Sequence, residues 1–578
     1  MDFCHDVPLF PAGSFKILLI QPPIEDFYQT HQRIEPIGLA YLASSLKKKG
    51  FLAEILDCQS VLKKNPIKLP SSLSFLKDFY ISGNLSPFRL FGNYYHFGLS
   101  YHEMEILLKK SDARIFGISS MFSTYHNEAI KIAEIIKSID KENIVIFGGA
   151  HVSCCPEEVI ENRFVDFVVI GEGEKSLCSL LRCIADENLS EIKNVDGIGY
   201  KENGCVKINP KKTWIDTLDS IPFPSRELLS NGAYSVGRKR ITKVFTSRGC
   251  PFSCSFCSVK LSMGNSLRQR TPENILEEII FCNKKFGIEA FDFEDDNLGY
   301  DKELFCKLLD LIIKNFGEKK LRLYAMNGIL PSIIDKTVLD KMKKSGFENL
   351  NLTFTSLNDN IRNKLSRPDT LKEFENALDL AKNAGLKITA YLFLGVPGQT
   401  VSEMVDDLLY LAKTDALIGT SIFYPVPGTP LFEEYSQKGY FSPDDLVKLR
   451  GNAFPIETEE FSKTDIFTLF YLARILNFMK SISHSDKSLN YDGKDFNFIN
   501  NQISAEKKLN ENEIGLILLD LFFKEKEIYG IKLVDKNNSI FTYQLYKENC
   551  SQRVLEEFFI SNSLTKAVGN YIKKTNII

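Results

Sequence analysis

No stretch of this 578-residue chain is apolar for the ~18 residues that a membrane-spanning helix needs. The longest apolar stretch, at residues 514–523, is short and interrupted. The first ten residues carry no basic segment leading into an apolar run, so a secretory leader is not expected. Charge of one sign is missing too. The 71 Lys and Arg are mixed among 74 Asp and Glu, giving a net charge of −3 and no basic field for nucleic acid. The 13 cysteines do not form the dense pattern of a small disulfide-built domain. One C-x2-C pair has no second pair to complete a zinc module, and no histidine lies between His151 and His484. What remains is an ordinary globular composition, 44% hydrophobic and 25% charged, long enough for roughly three or four domains.

Against that background residues 247–258 stand out: Ser-Arg-Gly-Cys-Pro-Phe-Ser-Cys-Ser-Phe-Cys-Ser. Cys250, Cys254 and Cys257 have C-x3-C-x2-C spacing, which lets one loop wrap a corner of a cubane iron–sulfur cluster. Such a cluster normally takes four thiolates. Three leave one iron open, and the amino and carboxylate groups of S-adenosylmethionine (SAM) can chelate an open iron. A zinc site and three unrelated core cysteines are the plainer readings. With Phe256 before the last cysteine, the motif resembles that of the radical SAM superfamily. The resemblance implies a [4Fe-4S] cluster on Cys250, Cys254 and Cys257, SAM as co-substrate, and a reducing compartment such as the cytoplasm.

The chain before this loop alternates strands and helices. Strands are expected at 16–21, 51–56, 114–119, 143–147 and 166–170, with helices after each. Pro36 is expected in the first turn of the first helix and Gly50 at its end. Residues 60–110, rich in aromatics, read as a mostly helical insertion. Five such units predict a doubly wound parallel sheet whose ligand sits beyond the strands' carboxyl ends. The loops at 22–38, 119–125, 148–155 and 171–175 lie there.

Pro36-x-Gly38, Gly148-Gly149-x-His151 and Gly171-Glu172-Gly173-Glu174 in those loops resemble the cobalamin-binding domain that precedes many radical SAM cores. The resemblance implies that these residues, with Ser119 opening the third loop, face a corrin. Bare glycines let a backbone approach a large ligand closely, although tight turns in a ligand-free domain would use them equally. None of the seven histidines sits two residues after an Asp, as a D-x-H-x-x-G cobalt-ligand motif requires. The resemblance therefore implies a cobalt lower face without that ligand. His31 is the nearest imidazole in the first loop, and His151 is expected to order its own loop.

Residues 186–242 read as a connector containing a hairpin around Asn203-Gly204 and a proline-broken stretch, 218–224. Six further strand–helix units follow, with strands at 243–246, 290–294, 321–325, 349–354, 387–393 and 420–424. A full TIM barrel needs eight. Six resemble the open partial barrel of radical SAM cores. The expected fold is thus α/β: a doubly wound Rossmann-like domain at 1–190, a connector at 191–235, a (β/α)6 partial TIM barrel at 236–455 and a small α+β accessory region at 456–578.

The strand ends carry the implied SAM contacts. Glu294-Asp295-Asp296-Asn297 closes the second strand, where the resemblance places the SAM amino group; capping of the next helix is the alternative. Gly395-x-Pro397-Gly-Gln-Thr closes the fifth, and Pro425-x-Pro427-Gly428-Thr-Pro closes the sixth. The fourth departs. Thr353-Phe-Thr-Ser356 stands where Gly-x-Glu-Ser is common, so Thr355 offers no carboxylate and Ser356 only a hydroxyl. Arg367 is a further implied partner for the SAM carboxylate, or a solvated side chain.

The resemblance implies a cobalamin-dependent radical SAM enzyme that methylates an unactivated carbon of a small molecule or peptide. It would need an electron donor such as flavodoxin or ferredoxin. Ring closure or rearrangement with the same cofactors, loss of cobalamin binding, and a sensory protein without turnover are the alternatives.

Overall fold

The computed structural model describes residues 16–28, 30, 34–80, 91–230, 233–236, 239–485, 529–537, 540–547 and 556–561. Lys16–Gln21, Leu52–Asp57, Ile115–Ser119, Ile144–Gly148 and Phe167–Val169 form a parallel sheet. In chain order these strands lie 2-1-3-4-5, the flavodoxin-like doubly wound arrangement. Ile17, Leu18, Leu19 and Ile20 are all buried, as a strand covered on both faces requires. Helices Ile37–Lys48 and Gly173–Ala185 cover one face, and Tyr101–Lys110 and His126–Ile139 lie against the other.

Two segments differ from expectation. The insertion is not mostly helical. Lys64–Ile67 and Tyr94–Phe97 build a small antiparallel sheet with Ile24–Asp26, while the 3-10 segment Ser71–Asp78 and the helix Tyr101–Lys110 supply the helical part among the described residues. Its aromatics Tyr80, Phe91 and Tyr94 cluster around Phe27, which packs this mixed segment without helical periodicity. The hairpin Ile198–Glu202/Cys205–Asn209 also exceeds a connector. It pairs antiparallel with Phe167–Val169 and extends the first sheet to seven strands, covering an open edge.

The second α/β unit has strands Lys239–Val244, Ala290–Phe293, Arg322–Tyr324, Asn349–Thr355, Lys387–Leu394 and Leu417–Ile422. They pair parallel in chain order, in two sheets of described ladder joined by the bridges Leu323–Phe347 and Ile329–Leu352. Side chains alternate across each strand. Phe291, Phe293, Leu350, Leu352, Ala390 and Leu392 face the helix layer and join the largest core. The opposite face is polar. Lys243, Asp292 and Tyr324 are register neighbours, as are Thr353, Tyr391 and Gly419. A complete TIM barrel fills this space with branched apolar side chains; here polar side chains occupy it. Helix Lys463–Ser485 packs on the last strand through the Asn477 side-chain amide, which bonds both Ile418 main-chain groups. Strands Tyr529–Asn537, Ile540–Lys547 and Glu556–Ser561 form an antiparallel sheet near the C-terminus. The apolar stretch 514–523 and His31 lie outside the described residues.

Candidate active site

The cysteine loop starts from a narrow neck. Ser247–Arg248 pairs antiparallel with Arg268–Gln269, closing a loop that contains all three motif cysteines. Asp295 secures the neck. It accepts hydrogen bonds from the Thr246 N–H at 3.0 Å, the Thr246 hydroxyl at 2.7 Å and the Ser247 hydroxyl. Gly249 follows with φ 82°, and a Cβ there would lie 2.4 Å from the Ser266 carbonyl oxygen, so only glycine fits. Farther along, the Ser255 N–H donates to the Leu365 carbonyl at 3.2 Å and its hydroxyl to that of Lys364 at 2.8 Å. Phe256 packs edge-on against Phe393, with ring centroids 5.2 Å apart.

The thiols feel one another. Burial raises the pKa of all three, that of Cys257 to about 11, and the charges of Cys254 and Cys250 add to the effect at Cys257. Arg367 opposes the rise at Cys254. Among the described residues no three His, Cys, Asp or Glu side chains converge on a single ion. A cubane takes one thiolate per iron corner, and its positive irons relieve the cost of buried thiolates. The donor set of three mutually sensed thiols on one loop fits that group. Cys250 Sγ also accepts from Asn297 Nδ2 at 2.8 Å, a contact that tunes a ligand sulfur.

The expected SAM-site residues divide. Asp296 is exposed at the mouth and acts electrostatically on Cys250 and Cys257. Its crowded surround, then Asp295 and Glu294, push its pKa up to about 7. An arriving ammonium group would reverse that. Asp295 is fully committed to the neck instead. Neither caps a helix: Asp301 caps the following one. Ser356 is completely buried. Its hydroxyl accepts from the Asn358 N–H at 3.1 Å, so the side chain does not face the mouth. Thr355, at φ 67° on a bulge, is likewise buried. Gly395 packs on Ile466, and the Pro397 carbonyl accepts from Lys364 at 2.7 Å. Arg367 bonds Asp369 at 2.6 Å, and Asp369 accepts from Thr353 at 2.8 Å.

A cavity of about 760 Å³ lies beyond the carboxyl ends of the first sheet's strands, beside the switch point between the first and third. Its walls come from Gln21-Pro22, Ser119 to Tyr125, and Ala150, His151 and Cys154 on one side. Thr420 to Ile422, Tyr424 to Pro427 and Leu449 to Asn452 face them from the barrel side. Ser258, next to Cys257, also lines it, so the cavity reaches the cysteine loop. Ser119 and His151 both line this cavity. His151 bonds the Ser123 hydroxyl at 2.9 Å and lies 4.4 Å from the His126 ring. Burial lowers the pKa of His151 to about 3 and of His126 to about 4, keeping both neutral. Gly149, at φ 121°, brings the loop within 2.5 Å of the Ser120 carbonyl as measured from an added Cβ.

The other loop residues play different parts. Pro36 precedes the first helical residue rather than sitting inside the turn, and Gly38 leaves open space on that helix. Gly148 packs near Val169, Gly171 against Trp214 and Gly173 against Leu42. Gly428 meets the Cys154 carbonyl across the seam. Glu172 was expected to face a corrin. It is instead buried between Arg248 at 3.0 Å and Arg268 at 2.7 Å, because both guanidinium groups need a counter-charge where the neck meets the first domain. Sequence reasoning gave no role to Arg248, Arg268 or Arg450, and it placed Asn297 among the SAM contacts, whereas its amide donates to Cys250. The one signal was Arg248 itself, inside the cysteine motif.

Residues 244–411 match the family model described as the Radical SAM superfamily, and residues 100–181 match the B12 binding domain. The chain therefore carries a radical SAM domain and a B12-binding domain, and these imply a [4Fe-4S] cluster, SAM and cobalamin as cofactors. Among its relatives is an uncharacterized methyltransferase of Pyrococcus horikoshii, 28% identical over 72% of this chain and 82% of the relative. Another is the cytidylyl-2-hydroxyethylphosphonate methyltransferase of Streptomyces wedmorensis, 24% identical over 75% and 84%. In fold it is similar to the radical SAM methyltransferase TsrM of Kitasatospora setae, solved with cobalamin and the cluster bound. That match has TM-score 0.57 and 18% identity, covering 74% of this chain and 78% of TsrM. The cobalamin-dependent radical enzyme OxsB matches with TM-score 0.58 and 17% identity, over 89% and 76%.

Proposed function

We propose that this protein transfers a methyl group from cobalamin to an unactivated carbon of a small-molecule or peptide substrate. The observation that carries the reading is the single cavity that touches both His151, on the corrin side, and Ser258, beside Cys257. When bound, the cluster with SAM supplies a 5′-deoxyadenosyl radical and cobalamin supplies the methyl group. Cys250, Cys254 and Cys257 hold the cluster, and Asp296 receives the SAM amino group. Ser119, His151 and the 119–125 loop form the corrin wall. The neutral imidazole of His151 gives that wall hydrogen-bonding surface without charge, with the His126 ring packed against it. Substrate enters over the polar barrel face around Asp292 and Tyr391. A flavodoxin or ferredoxin is the proposed electron donor, in the cytoplasm. No described helix is long and apolar enough to cross a membrane.

Anaerobic reconstitution with iron, sulfide, cobalamin and SAM tests the reading. The expected outcome is 5′-deoxyadenosine on reduction and transfer of labelled methyl from SAM into a product. Deoxyadenosine without methyl transfer would favour ring closure or rearrangement, and failure to retain corrinoid would end the cobalamin mechanism.

A further inference from the structure

The loop that carries Glu172 belongs to the cobalamin-binding unit, yet its carboxylate points into the neck of the cysteine loop. Arg248 and Arg268 are register partners in the two-stranded neck, and Glu172 sits between them. Its Oε1 takes Arg248 at 3.0 Å, and its Oε2 takes Arg268 at 2.7 Å and the Ile215 N–H at 2.9 Å. Arg248 reaches on to Glu174 at 2.6 Å, where its charge holds the Glu174 carboxyl low despite burial. Arg268 continues to the carbonyls of Ile215 at 2.9 Å and Met263 at 2.6 Å. Met263 lies within the loop, and Arg248 is two residues from Cys250. Four buried charges thus join the first domain to both strands of the neck.

We infer that Glu172 is a positioning residue for the iron–sulfur cluster. Acting through Arg248 and Arg268, it lets the cobalamin-binding domain fix the orientation of the cysteine loop, and with it the cluster whose open iron meets SAM. Two alternatives fit less well. A corrin contact would need a free carboxylate oxygen aimed at the cavity, and Glu172 does not line it. A purely stabilising pair would not need both strands of the neck as partners, and apolar side chains of similar size hold a core at least as well.

The inference rests on the cluster being held by this loop, not on what is methylated. The test is the full-length protein, reconstituted anaerobically, as Glu172→Gln and as Glu174→Gln. Circular dichroism and thermal unfolding establish folding, and bound corrinoid and iron are counted. The readouts are the EPR spectrum of the reduced cluster with and without SAM, and SAM affinity by equilibrium binding. Expected for folded Glu172→Gln are wild-type corrinoid content, a changed SAM-induced EPR shift and SAM binding weakened about tenfold. Glu174→Gln, which removes one of Arg248's two carboxylates, should show a smaller change of the same kind. Wild-type spectra and affinity in folded Glu172→Gln would overturn the inference. So would loss of corrinoid with an unchanged cluster signal. If Glu172→Gln fails to fold, Glu174→Gln decides by the same two readouts. If the wild type itself forms no cluster, the cofactor reading fails first and the cause is distinguishable.

Discussion

At the scale of single residues, the three thiols and two imidazoles make different demands. Cys254 is buried and lies beside Arg367, so it cannot be replaced by a neutral side chain without losing a cluster corner. Cys254→Ala should abolish the cluster's absorbance and SAM cleavage while corrinoid still binds, as read by spectra of the two reconstituted proteins. The imidazoles bear on pH. His151 has a folded-state pKa of about 3, below the ordinary value for an unfolded chain. Between those values the unfolded state holds the extra proton, so stability falls as pH drops below ~6.5. In His151→Asn this dependence should shrink, and the wild type should lose more melting temperature than the variant between pH 7 and pH 4.5. Asp296 gives the opposite kind of test. Asp296→Asn removes the exposed carboxylate facing the thiols and should weaken SAM binding about tenfold, leaving the cluster's iron content unchanged.

At the scale of elements, the strands were legible because their rules are local. Ile17 to Ile20 form a run that only a doubly covered strand explains, and the alternation of Phe291 and Phe293 with Asp292 and Glu294 shows period two. Thr271-Pro272 caps and opens a helix as its chemistry dictates. The insertion was less legible, since its strands find partners more than twenty residues away and its aromatics have no period. Glycines were legible as special but not as to purpose. Gly149 and Gly428 look alike in sequence, yet one turns a loop onto the Ser120 carbonyl and the other admits the Cys154 carbonyl across the seam. Gly149→Ala adds a Cβ at 2.5 Å from an oxygen in a left-handed backbone. It should cost on the order of 3 kcal/mol, measured by chemical denaturation, and reduce corrinoid retention.

At the scale of the whole molecule, buried ion pairs join distant segments across the seam. Asp26 accepts from Arg450 at 2.8 Å, from Tyr125 at 2.6 Å and from Asn452 at 2.7 Å. Glu35 accepts from the Thr242 hydroxyl and the Lys243 N–H, and Arg226 pairs with Glu278 at 2.7 Å beneath it. Asp26 and Arg450 are 424 residues apart, Glu172 and Arg248 are 76. No spacing rule reaches across such distances, which explains why Glu172 read as a cofactor contact and Arg450 as nothing. Arg450→Ala leaves Asp26 buried and less compensated, so a loss of about 3–5 kcal/mol is expected in equilibrium unfolding.

The hydrogen-bonded carboxylates of Glu35 and Glu172 also bear on how such proteins can be recombined. The two cofactor units are distinct as folds, and a chimera would ordinarily cut between them. Here Glu172 supplies the counter-charge of Arg248 and Arg268, so a transplanted cobalamin unit lacking an acid at that position would strand two arginines inside its new host. Exchange of substrate scope between relatives is therefore easier through the polar barrel face and the aromatic insertion than through swapping the front half.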